Sequence, residues 1–169
     1  MRAKLMMRKV GITIGLLPIL FNLPADAQTS DVKTLNQAGA QAVLQSAQKI
    51  ARQRNAPTAI AVVDPAGDLL AFERMDGVRP ESADLAIEKA RTAARLQRPT
   101  AEIEDNINHG RTAFVTAGIM ALRGGMPVRV GGEVVGAVGV AGLSSEMDAE
   151  IAETAATALS PSSDPPPHD

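Results

Sequence analysis

Cysteine, tryptophan and tyrosine are all missing from this 169-residue chain, and three phenylalanines are its whole aromatic content. Without cysteine there are no disulfides, so a hydrophobic core or an oligomer must supply the stability. Phe21 lies in the N-terminal segment set aside below, which leaves Phe72 and Phe114. Two isolated rings argue against base-stacking platforms and carbohydrate-stacking sites. Clustered positive charge is lacking as well, so a nucleic-acid surface is not expected. The core has to be built from Ala, Val, Leu, Ile and Met.

The first 27 residues read as a secretory leader, with a retained N-terminal anchor as the alternative. Arg2, Lys4, Arg8 and Lys9 form a basic start, and the mostly apolar run from Val10 to Leu23 is too short to span a bilayer. Ala25-Asp26-Ala27 places small residues at the −3 and −1 positions of a cleavage point before Gln28. The expected product is periplasmic or secreted, with no integral membrane segment after processing. Removing the leader takes away four basic residues and one acidic one, leaving 13 against 18 and a net charge of −5. The remaining length suits one domain with a single core, over residues 28–159. Residues 160–169, SPSSDPPPHD, are a proline-rich polar tail with the composition of a disordered segment.

Thr34-Leu-Asn-Gln37 has the form of a capping box, with Thr34 as N-cap. Leu35, Ala38, Ala42, Val43, Ala47, Ile50 and Ala51 follow at helical spacing to about Arg54. Thr58 to Val63 predicts a strand ended by the turn sequence Asp64-Pro-Ala-Gly-Asp68, and Leu69 to Arg74 its antiparallel partner. Ser82 can cap a second helix over Ala83 to Gln97, rich in small residues. Thr100 can cap a short third one that ends at Asn108-His109-Gly110. A strand or irregular segment is expected around Phe114 to Ile119. Gly131-Gly132 between Pro127–Val130 and Glu133–Val140 is a type I′ hairpin signal. Gly136 and Gly139 interrupt its second strand, marking either a bend where a helix packs down or a ligand touching the backbone. Ser145 can cap a last helix carrying Met147, Ile151, Ala152, Ala155 and Leu159 on one face. The expected fold is α+β: an antiparallel sheet of two hairpins, about five strands, flanked by helices in a profilin-like layout.

No nucleophile elbow, P-loop or paired metal-ligand spacing is present in the sequence, and the hairpin glycines do not form a dinucleotide fingerprint. His109 is the one histidine in the body of the domain and can serve as an axial ligand to haem iron or simply end a short helix. Met75, Met120, Met126 and Met147 can supply a thioether or fill gaps in the core. Lys89 falls on or beside the small-residue face of the second helix, where an ammonium must snorkel, face a cleft or pair with a carboxylate. Asp64 and Asp76, at the mouth of the first hairpin, are its expected partners. Arg74 and Arg129 on strands, with Arg111 and Arg123 flanking the uncertain segment, can bind a carboxylate bidentately or cover a solvated face. Glu102, Glu104 and Asp105 form an acidic run that suits a helix start.

Three blocks, AIAVVDPAGDLLAFERMDG (59–77), SADLAIEKARTAARLQRPT (82–100) and GGMPVRVGGEVVGAVGVAG (124–142), resemble the haem-binding/GlcG-like family. That family includes the HbpS-type extracellular haem-binding proteins and the C-terminal domain of PduO-type corrinoid adenosyltransferases. The resemblance spans about Leu35 to Leu159, and Asp64, Gly67, Arg74, Asp76, Ser82, Lys89, Ala90, Arg91, Pro127, Gly136, Gly139 and Gly142 match its pattern. It implies an antiparallel sheet flanked by helices, assembly into homo-oligomers, and tetrapyrrole binding. This chain departs from the pattern at Leu143-Ser144, where a Gly-Gly is common, and has no histidine in the first helix or first hairpin. Any haem ligand carried there by members is absent here. The leading expectation is an exported small-molecule-binding protein whose arginines neutralise haem propionates. The alternatives are an enzyme acting on a small organic acid through Lys89 and an arginine clamp, and an accessory oligomer of a periplasmic oxidation or sensing system.

Overall fold

A computed structural model describes residues 31–160; the leader, His168 and all of the tail but Ser160 lie outside the described residues. The elements run α1 (Gln37–Gln53), β1 (Ala59–Val63), β2 (Leu69–Arg74), α2 (Glu81–Leu96) and α3 (Thr100–Asn108). A 3-10 helix (Thr112–Ala117), β3 (Gly125–Val130), β4 (Glu133–Ala141) and α4 (Ser145–Ala156) follow. Both expected hairpins form, and antiparallel pairing of β1 with β4 joins them into one sheet of order β2-β1-β4-β3. The sheet has four strands among the described residues, not five. The segment considered for a fifth winds into the 3-10 helix, whose residues are nowhere buried and have no neighbouring strand to pair with. No helix among the described residues is long and apolar enough to cross a membrane.

Strand alternation divides the core into two layers. Ile60, Val62, Val138 and Val140 point to one face, where α1 and α4 cover them with Val43, Leu44, Ile151 and Ala155. Ala59, Ala61, Ala137 and Ala141 point to the other face, where α2 meets them with Ala86, Ala90 and Ala93. Alanine against alanine lets α2 lie unusually close to the sheet. Gly139 is required there: a Cβ on it would stand 2.0 Å from the carbonyl oxygen of Ala86 and 2.6 Å from the nitrogen of Ala90. Gly136 is crowded from elsewhere: its Cβ would stand 2.4 Å from the Val63 carbonyl oxygen of β1 and 2.7 Å from Leu35 Cδ1. Gly139 is thus the place where a helix packs down on the sheet.

Gly131 and Gly132 both have positive φ, 61° and 86°, as a type I′ turn demands. The helix starts differ from the expected ones by one or two residues. Asn36, not Thr34, caps α1, its side-chain oxygen accepting from the Gly39 N–H at 2.8 Å. The chain stays extended up to that point because the Leu35 N–H donates to the Val135 carbonyl at 2.8 Å and its side chain is buried. Ser144, one residue earlier than expected, caps α4. Ser82 lies buried inside α2, and Thr100 is the first residue of α3 rather than its cap.

Candidate functional site

The grooves on the described surface occur where elements end. The larger, about 420 Å³, lies between β3, the start of α3 and the end of α4. Met126, Pro127 and Arg129 form its β3 wall, Pro99 and Glu102 its α3 wall, and Glu153, Ala156 and Thr157 its α4 wall. Its volume is within the range of small-molecule sites. Arg129 is held in position by its own backbone surroundings, donating to the Gln97 carbonyl at 2.8 Å and the Gly132 carbonyl at 3.1 Å. A guanidinium carries five N–H donors, so this leaves donors for an anion in the groove. Met126 is half-buried and brings a polarisable thioether to the same wall.

A second groove, about 320 Å³, sits at the other edge of the sheet and is lined by Arg52, Glu73, Arg74, Met75 and Asp76. Arg74 and Asp76 thus share one site, and Arg129 occupies another. Arg111 lies over the Phe114 ring at 4.9 Å. Arg123 is engaged by two acids of α3: it pairs with Glu104 and, at 2.9 Å, with Asp105. The hydrogen bond to Glu104 is the main influence raising its pKa. The acidic run is therefore partly a counter-charge for Arg123 in addition to a helix start.

His109 caps the C-terminal end of α3 on the exposed side, with Nδ1 2.6 Å from the Asp105 carbonyl oxygen. It is seven residues beyond Glu102, roughly 10 Å along the helix axis from the groove wall. Of the four methionines, only Met126 is on that wall; Met75 lines the second groove and Met147 packs against the core. Met120 is tied through its backbone N–H to Thr92 Oγ1 at 3.0 Å.

Lys89 is neither in a cleft nor near its expected partners. It is 3% exposed, and its ammonium donates to Asp148 Oδ2 at 2.9 Å and to the Val140 carbonyl at 2.8 Å. Asp64 is occupied elsewhere, its Oδ1 accepting from the N–H groups of Ala66, Gly67 and Asp68 in the turn between β1 and β2. Asp76 faces the second groove. Asp148, in the first turn of α4, was not singled out in the sequence because an acid at a helix start already has a local explanation. Burial raises its pKa, outweighing the Lys89 charge that lowers it.

Together these features describe a small antiparallel-sheet domain covered by helices on both faces, with a groove along one edge strand lined by apolar residues, one arginine and two glutamates. A family model described as "Haem degrading protein HbpS-like" matches residues 35–157, and the chain belongs to that family. It is 48% identical over 107 residues to protein GlcG of Escherichia coli K12, covering 63% of this chain and 80% of that protein. Over 114 residues it is 29% identical to the corrinoid adenosyltransferase PduO of Salmonella typhimurium, spanning 64% of this chain but only 34% of that longer protein. Among solved structures, HbpS superposes with a TM-score of 0.72 at 30% identity, covering 79% of this chain and 95% of that one. A PduOC:heme complex superposes with a TM-score of 0.67 at 26% identity, covering 75% and 96%.

Proposed function

We propose that this chain is an exported haem-binding protein that receives the porphyrin in the groove between β3 and α4. Membership of the HbpS-like family is the observation that carries the reading, supported by the likeness to a domain solved with haem. The lining residues fit such a group in kind. Pro127 and Ala156 offer apolar walls, Arg129 offers fixed donors to a propionate, and Met126 offers a soft axial donor. Glu102 and Glu153 on the opposite walls disfavour a propionate near them, so the charged edge of the porphyrin is directed toward Arg129. Haem would bring iron and a redox-active macrocycle; the chain's part is to bind it, orient it and exclude water. The leader-like composition of residues 1–27 supports the reading that this work is done in the periplasm or outside the cell.

The test is the Soret band of hemin mixed with the purified mature protein. Met126→Leu should change the position or shape of the band, while His109→Ala should leave it unchanged. A Soret spectrum identical to free hemin at micromolar concentrations would overturn the reading. The family description also speaks of haem degradation, and bleaching of the bound Soret band by added peroxide, faster than that of free hemin, would extend binding to turnover.

A further inference from the structure

The three walls of the groove come from elements on different sides of the molecule, and they are fastened at one buried point. Gly124 precedes and Gly125 begins β3, the strand that carries Met126, Pro127 and Arg129. A Cβ on Gly125 would stand 2.4 Å from the Lys89 carbonyl oxygen and 2.7 Å from Thr100 Cγ2, so α2 and α3 both press directly on this residue. Thr100 Oγ1 accepts from the Gly125 N–H at 2.9 Å, fixing the start of α3 against β3 just one residue after Pro99. Gly124 has φ +112°, and a Cβ there would stand 2.9 Å from Asp148 Cβ and 3.1 Å from Lys89 Nζ. Lys89 passes this glycine and ends its ammonium on Asp148 of α4, the helix whose far end provides Glu153 and Ala156. α2 and α4 cover opposite faces of the sheet, and this pair is a direct polar tie between them.

We infer that Lys89, Thr100 and Asp148 are positioning residues that set the width of the ligand groove, by locking β3, α3 and α4 to a single point at Gly124-Gly125. The inference rests on the groove being the ligand site. Its physical basis is directionality. Apolar packing tolerates sliding, whereas a buried ammonium shared between one carboxylate and one carbonyl has a single satisfactory geometry. α4 is a rigid rod 12 residues long, so a small rotation at Asp148 is carried to Glu153, Ala156 and Thr157.

The deciding experiment uses the double variant Lys89→Met/Asp148→Leu, which removes both charges and keeps the volume apolar, so that the fold survives. Amide hydrogen exchange is compared between it and wild type at residues 126–129 and 153–157, together with the affinity for hemin. Exchange at both walls should rise at least tenfold while the thermal midpoint stays within a few degrees, and hemin should bind about tenfold more weakly. Thr100→Val provides an independent route, because it frees only the α3 wall; it should raise exchange at Glu102 and weaken hemin without affecting residues 153–157. Wild-type exchange at both walls in the double variant would overturn the inference, whether or not hemin binds. Failure of the wild-type protein to bind hemin, with exchange raised as expected, would instead count against the haem reading alone.

Discussion

Replacing Lys89 with methionine leaves the Asp148 carboxylate buried without its counter-charge, and the consequence can be worked out from the geometry. The two side chains are 4% and 7% exposed, so the carboxylate cannot recover its solvation by turning outward. Removing one partner of a buried pair costs about 3–5 kcal/mol, against roughly zero or a gain when both are replaced by apolar groups. At about 3–5 °C per kcal/mol for a domain of this size, the single variant should melt roughly 10–25 °C lower than wild type. The penalty should also depend on pH. Burial already raises the folded-state pKa of Asp148 above its ordinary value, and Lys89 is the chief influence holding it down. A carboxyl with a raised folded pKa contributes most stability below its unfolded value of about 4 and loses it as pH rises through the folded value. In Lys89→Met that folded value rises further, so the deficit relative to wild type should be small near pH 4 and near its full size at pH 8. Urea denaturation of both proteins across this range is the assay. A deficit below about 1 kcal/mol at pH 8, or one that grows toward acid, would refute the reasoning from an uncompensated buried carboxylate.

Gly139→Ala should be far more damaging than its single methyl suggests, since the Cβ would collide with the backbone of α2. A loss of about 3 kcal/mol or failure to fold is expected, whereas Gly132→Ala, in open space at positive φ, should cost only about 1 kcal/mol. Thermal melts of the two variants separate these outcomes. Asn36→Ala should cost about 1 kcal/mol through loss of the α1 cap. Thr34→Ala should be nearly neutral, and the reverse order in denaturant titrations would restore the capping box.

Much of this architecture was legible because local signals agreed with one another. The Asp64-Pro-Ala-Gly-Asp68 turn lies between two largely apolar runs and the Gly131-Gly132 pair between valine-rich ones, and both hairpins formed where those signals placed them. The helix starts were less legible because neighbouring polar residues compete. Asn36 wins over Thr34 because Leu35 is held extended by β4, a contact 100 residues away in sequence. Phe114 to Ile119 left strand and irregular segment open, and among the described residues no neighbouring strand is there to pair with it. For the groove, Arg129, Met126 and Pro127 were visible as candidate chemistry on the glycine-rich hairpin. Glu153, Thr157 and Pro99 were not, because only the tertiary fold brings three element ends together. Lys89 stood out correctly as an ammonium on an alanine face. Its partner did not, because Asp148 is 59 residues later and looked like an ordinary helix-start acid.

The measurement that bears most directly on the proposed function is a hemin titration of the mature protein beside its Arg129→Ala and Arg74→Ala variants. A saturable Soret band is expected for wild type. Arg129→Ala should weaken binding by about tenfold, the worth of one charged hydrogen bond. Arg74→Ala, in the other groove, should bind as wild type does. No saturable band, or a loss on replacing Arg74 with none on replacing Arg129, would contradict haem binding in the groove between β3 and α4.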